Sequence, residues 1–198
     1  MTTALRYALE VSSAPAVEPI DLAEAKTYCK VDVEDDDDLL DAWIVEAREQ
    51  CEAVLDQALI TQTVKVYLDE FPAWELYVPR SPLQSVTSIV YVATDGTSTT
   101  LSSSLYRVDA KSRPGRITPA YGEVWPTVRD QTNAITITYV AGYGAAASSV
   151  PAAIKQAMRL SIGTWYRHRD EIEQGQMALR LPGGVVDSLL MLAWDGRY

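Results

Sequence analysis

The apolar residues of this 198-residue chain change their spacing twice, and each change limits what the segment can become. In "EPIDLAEAKTYCKVD", Leu22, Ala25, Tyr28 and Cys29 fall on one face of a helix. Asp21 stands where an N-cap belongs, with Glu24 three residues on as its capping-box partner. The next run, "DDDDLLDAWIVEAREQCEAVLDQAL", places Leu39, Leu40, Trp43, Ile44, Ala47, Cys51, Val54 and Leu55 at steps of one, three or four. That is a helix period, and it predicts a second helix from the aspartates to about Leu59.

From residue 60 the period drops to two. Val64, Val66 and Leu68 alternate with Thr63, Lys65 and Tyr67, as a strand with one buried face requires. "ELYVP", "SVTSIVYVATDGTSTTLS", "LYRVDA", "GRITPA" and "AITITYVAGYG" read as further short strands, with Asp95-Gly96 as a hairpin turn. Pro79, Pro82, Pro114, Pro119 and Pro126 punctuate them, which favours edges and turns over a long parallel sheet. Five to seven mostly antiparallel strands are expected. After a Gly/Ala/Ser linker, Pro151 opens a helix in its first turn. Ile154, Ala157, Met158, Ser161, Ile162, Trp165 and Tyr166 form its buried stripe, and "VVDSLLMLAW" predicts a short terminal helix. The expected fold class is α+β. A helical frame, residues 17–59 and 151–198, holds two N-terminal helices, one long C-terminal helix and the short terminal helix. A small antiparallel β-domain, residues 60–142, is inserted into it, and residues 1–16 form an N-terminal arm.

Charge narrows the partners. Residues 1–60 carry 4 Lys/Arg against 15 Asp/Glu, a net of −11, whereas residues 61–150 carry 7 against 7 and residues 151–198 carry 6 against 5. Nucleic-acid affinity comes mainly from clustered Lys and Arg that release counterions. The acidic first third therefore suits a basic protein face, or a surface that repels DNA. No apolar run approaches the length of a membrane span. The N-terminal stretch lacks a signal-peptide core, so the chain is expected to stay in the cytoplasm where it is made. Cys29 and Cys51 fall at apolar helix positions without metal-ligand spacing, and are expected as two reduced, buried thiols.

No constellation carries catalysis, and no cofactor is expected. His168, the single histidine, lies in "YRHRD" and reads as a basic helix terminus that complements the macrodipole. There is no G-x-S-x-G and no phosphate loop, and "AGYG" reads as a strand exit. Arg107, Lys111, Arg113 and Arg116 form the densest basic cluster, with only Tyr106 as aromatic company; protein contact or solvent suits them better than single-stranded nucleic acid. The run Asp35 to Asp38 invites a metal site or a metal-dependent hydrolase. It has neither the glycine nor the alternating ligands of a calcium loop. On a helix, neighbouring carboxylates diverge by about 100°. The run reads instead as a helix start, where Asp37 or a neighbour caps free N–H groups and faces the positive end of the dipole.

The ordered set "EPIDLAEAKTYCKVD", "DDDDLLDAWIVEAREQCE", "ALITQTVKVYLDEFP", "ELYVPRSPLQSVTSIVYVATDG", "LYRVD", "PGRITP", "ITITYVAGYG" and "VPAAIKQAMRLSIGTWYRHRD" resembles the head–tail connector (head-completion adaptor) proteins of long-tailed bacteriophages and related gene-transfer particles. It is most similar to the phiE125-type phage proteins. The resemblance implies a non-enzymatic homo-oligomeric ring, a dodecamer, beneath the portal protein in the particle neck. Such a ring joins the capsid vertex to a stopper or tail-terminator protein and leaves a channel through which DNA passes without specific binding. It also implies assembly in the bacterial cytoplasm and no membrane. A head-closure (stopper) or tail-completion protein of the same neck is the alternative. The C-terminal segment is expected to reach the portal through Val185, Leu189, Leu190, Leu192, Trp194, Arg197 and Tyr198, although its apolar residues could equally pack on their own domain. For the subunit interface, Asp35, Asp36 and Asp38 of one copy are expected opposite Arg107, Lys111, Arg113 and Arg116 of the next.

Overall fold

Three helices and eight strands, one more than the upper expectation because Tyr7–Ser13 is a strand, make up a computed structural model that describes residues 7–168 and 190–191. The chain divides into two units, Ala16–Ile60 with Tyr143–Tyr198, and Met1–Pro15 with Thr61–Gly142. The fold is α+β, with two helices near the N-terminus, one after the strands, and antiparallel sheet between.

In the first unit, helix α1 spans Leu22–Cys29, α2 spans Asp37–Leu55 and α3 spans Ala152–Arg167. Asp21 caps α1, accepting the Glu24 N–H at 2.7 Å, and Lys30 ends it in the left-handed region at φ 58°. The Glu24 carboxylate does not close the expected capping box. It turns to α3 and meets Arg159 and Lys155, where two cations offer more than one backbone N–H. Helix α2 stops four residues short of Leu59. Asp56 adopts φ 49°, the Glu52 carboxylate accepts the Leu59 N–H at 2.9 Å, and Ala58, Leu59 and Ile60 fold under into the core. Pro151 stands at the N-cap of α3, not inside its first turn.

Each helix packs on the other two. Leu40, Ile44, Ala47, Cys51 and Leu55 of α2 meet Ile154, Ala157, Met158 and Ile162 of α3, with Ile20 and Ala25 closing the core. Each fully buried Leu or Ile contributes about 1.5–3 kcal/mol relative to exposure. Two residues expected in the stripe face solvent instead: Leu39 is 37% and Val54 58% exposed. Gly163 permits the close approach of α1, since a Cβ there would lie 2.7 Å from the Tyr28 ring. Trp43 packs edge-on against Trp165 and Tyr166, at ring separations of 6.4 and 6.3 Å. The expected terminal helix lies outside the described residues except for Leu190 and Met191, which are helical.

The second unit holds β1 (Tyr7–Ser13), β2 (Gln62–Leu68), β3 (Leu76–Val78), β4 (Leu83–Val92), β5 (Ser98–Thr100), β6 (Tyr106–Asp109), β7 (Gly115–Pro119) and β8 (Ile135–Ala141). They form a five-stranded sheet in the order β1-β2-β8-β4-β5 and a three-stranded sheet in the order β3-β7-β6, antiparallel throughout. Register pairs Val64 with Tyr139, and Val66 and Ile89 with Ile137, so the alternating apolar residues share one buried face. Between β4 and β5, Gly96 takes φ 91° and Asp95 accepts the Thr97 N–H at 2.8 Å, the hairpin expected there. Residues 1–16, expected as an arm, include β1. Its Tyr7, Leu9 and Val11 pair with Leu68, Val66 and Val64, extending the apolar face of the sheet by one strand.

Candidate functional site

The aspartate run is used to join helices. Asp36, the N-cap of α2, makes no side-chain capping bond. Its Oδ2 accepts the Tyr166 hydroxyl at 2.7 Å, and Asp37 Oδ1 lies 2.5 Å from Lys26 Nζ. The expectation that Asp37 or a neighbour caps the free N–H groups is therefore corrected: these two carboxylates tie the start of α2 to α3 and α1. Asp37 and Asp38 still lie in the first turn, where the dipole favours them, and Asp35 and Asp38 are exposed. Among the described residues no group of His, Cys, Asp or Glu could hold a metal ion. Changing Asp35, Asp36 and Asp37 together to Asn is expected to lower stability by up to about 1 kcal/mol each and to leave calorimetric titrations with divalent cations unchanged. A measurable wild-type metal affinity abolished by the substitutions would revive the hydrolase idea.

A second acidic group surrounds Arg48 further along α2. Arg48 donates to Glu18 and Glu52 at 2.9 Å each and to Glu49 at 3.3 Å. One guanidinium thus serves three carboxylates, two of them on its own helix. Burial raises the Glu18 pKa against the opposing pull of Arg48. Burial works to lower the Arg48 pKa, but the fields of Glu18 and Glu52 outweigh it and the net shift is upward. Next to this group an open groove of about 630 Å³ is lined by the buried Ile20 and Ile44, the exposed Val17 and Val45, and Ala145, Ala146 and Ala147. Glu18, Asp21 and Asp41 line it as well, and no cation among the described residues does.

The basic cluster belongs to the second unit and splits in two. Arg116 is held by Asp109 at 3.0 Å and Glu75 at 2.9 Å. The Ser112 hydroxyl, Arg116 and two backbone N–H groups hold the Asp109 carboxyl well below the usual carboxylate range. Arg107, Lys111 and Arg113 are exposed. Sequence reasoning missed a third surface. Tyr121 and Val124 are 102% and 82% exposed, on a loop braced by Trp125, which stacks on Phe71 at 4.7 Å and donates its indole N–H to the Trp74 carbonyl. The "AYGEVWP" run, aromatics around a glycine, is the signal that could have found it.

His168 caps the C-terminus of α3 and is exposed. Both cysteines are free; Cys51 is buried and its thiol is pushed up to about 12 by burial, and the half-buried Cys29 thiol is raised by the same cause, so neither is tuned as a nucleophile. Of the residues expected to dock on a portal, Val185, Leu189, Leu192, Trp194, Arg197 and Tyr198 lie outside the described residues. Leu190 is 2% exposed in the core of the helical unit.

Among the described residues the chain combines three helices with two antiparallel sheets. Its fold is similar to that of chains in three solved structures. One is the neck of an empty gene transfer agent particle computed with C6 symmetry, at TM-score 0.76 and 22% identity over 96% of this chain and 97% of that one. Another is the virion of a native gene transfer agent particle, at 0.78 and 21% over 96% of each. The third is the neck of a native particle computed with C12 symmetry, at 0.70 and 21% over 96% and 97%. No curated protein matches the chain. Residues 19–110 match the family model of phage gp6-like head-tail connector proteins.

Proposed function

We propose that this chain is a non-enzymatic structural subunit of a phage or gene-transfer-particle neck, forming a twelve-membered ring under the portal that joins the capsid vertex to the stopper or tail and leaves a channel for DNA. The observation that carries the reading is the connector-family match over residues 19–110. The fold it shares with neck-particle chains along nearly its whole length supports it. The finer placement among phiE125-type proteins rests on the order of motifs in the sequence. Ring closure uses two different surfaces of one chain. Asp35, Asp36 and Asp38 at the start of α2 offer negative charge, and Arg107, Lys111, Arg113 and Arg116 offer positive charge. Portal docking falls to Val185, Leu189, Leu192, Trp194, Arg197 and Tyr198, with Leu190 fixing the segment to the helical core.

Removing the chain from particle-producing cells is the test. DNA-filled heads without tails are expected, and a chain lacking residues 185–198 is expected to leave the same heads untailed while keeping its helical circular dichroism. Tailed particles assembled without the chain would overturn the proposal, and tailed particles assembled with the truncated chain would overturn the docking assignment.

A further inference from the structure

We propose that the groove of the helical unit is the acceptor for the Arg107–Val108 edge of a second copy of this chain. The argument begins with what the groove lacks. Val17 and Val45 leave 44% and 38% of their surface open beside the buried Ile20 and Ile44. Among the described residues its charged lining is all acidic: Glu18, Asp21 and Asp41. Glu18 does not have its cation to itself, because Arg48 is shared with Glu49 and Glu52. A suitable occupant therefore presents an aliphatic side chain with a cation beside it.

The described surface offers such a pair. Val33 sits between Asp32 and Glu34, Leu39 follows Asp38, Val11 follows Glu10, and Val124 follows Glu123, so each of these exposed aliphatics brings the wrong sign. Val108 is 40% exposed, follows Arg107 and precedes Lys111 by three residues. Neither Arg107 nor Lys111 makes an ion pair among the described residues, and the acids of this cluster, Asp109 and Glu75, are already held by Arg116. Val108 also lies on β6, an edge of the three-stranded sheet, where the backbone is open to an incoming surface. Acceptor and donor are different patches, so the contact repeats head to tail. The inference rests on the ring reading for why a second copy is at hand. It moves the acidic side of the seam from the Asp35–Asp38 run, where Asp36 is engaged by Tyr166, to the groove.

Disulfide trapping between full-length chains tests it. One chain carries Val45→Cys and a size tag, its mate carries Val108→Cys, and both carry Cys29→Ser. The mixed disulfide is expected at roughly tenfold the yield of a control pair of Val54→Cys with Val108→Cys, and it should fall several-fold in about 0.5 M salt, where screening is short-ranged. Asp41→Lys in the acceptor should abolish the excess, and adding Arg107→Glu in the donor should restore it. Yields equal to the control, or indifferent to salt and charge exchange, overturn the proposal. The two readings fail separately. Trapping does not depend on a particle, and a chain located in a neck without the 45–108 disulfide would contradict the seam alone.

Discussion

Replacing Arg48 with methionine is expected to destabilise the helical unit by about 3–5 kcal/mol, the range for removing one partner of a buried ion pair. The Arg48 and Glu52 side chains are 8% and 6% exposed, and Glu18 is 27% exposed. Methionine fills the volume but removes the Arg48 guanidinium from beside these carboxylates. Glu52 cannot swing out to water freely, because its other oxygen accepts the Leu59 N–H that ends α2. The sign with pH follows. In the variant, protonating Glu18, whose pKa burial already raises, removes buried charge that has lost Arg48, so the deficit relative to wild type shrinks as pH falls through the carboxylate range. Urea titrations followed by circular dichroism at several pH values measure both effects. A loss within about 1 kcal/mol, independent of pH, would mean that solvent already serves these carboxylates.

Ile137→Ala is expected to cost the β unit about 2–5 kcal/mol, the range for large-to-alanine changes in a core. β8 is the middle strand of the five, and Ile137 lies between Val66 and Ile89 with no exposed surface. Neighbours on both sides are fixed by the hydrogen-bond ladder, so the cavity cannot close by a shift of one strand. Tyr121→Ala, on a fully exposed side chain, is expected to change stability by no more than about 0.5 kcal/mol. Thermal unfolding of the two variants side by side checks the contrast.

Local rules were legible in the sequence because they act over three or four residues. Asp21 caps α1, Asp95-Gly96 turns β4 into β5, and the alternation of Val64, Val66 and Leu68 puts all three inside. What the sequence did not disclose depends on partners far along the chain. Glu24 leaves its capping box for Arg159, 135 residues away, and Asp36 leaves its cap for Tyr166, 130 residues away. The end of α2 was misplaced for the same reason, since Ala58 to Ile60 continue an apolar run but turn under the helix once Glu52 fixes the Leu59 N–H. The candidate surfaces divide similarly. The basic cluster could be seen as a cluster, but not that Asp109 and Glu75 occupy Arg116 and leave Arg107 without an ion pair among the described residues. The groove is built from residues 17–22, 41–45 and 145–147, which no motif connects.

Imaging of the particle that carries this chain tests the central claim most directly. A reconstruction of the neck is expected to hold twelve copies in a ring between portal and tail, each fitting the fold described here. Particles whose neck density excludes this fold, or in which the chain is found only in the capsid shell or the tail, would contradict it.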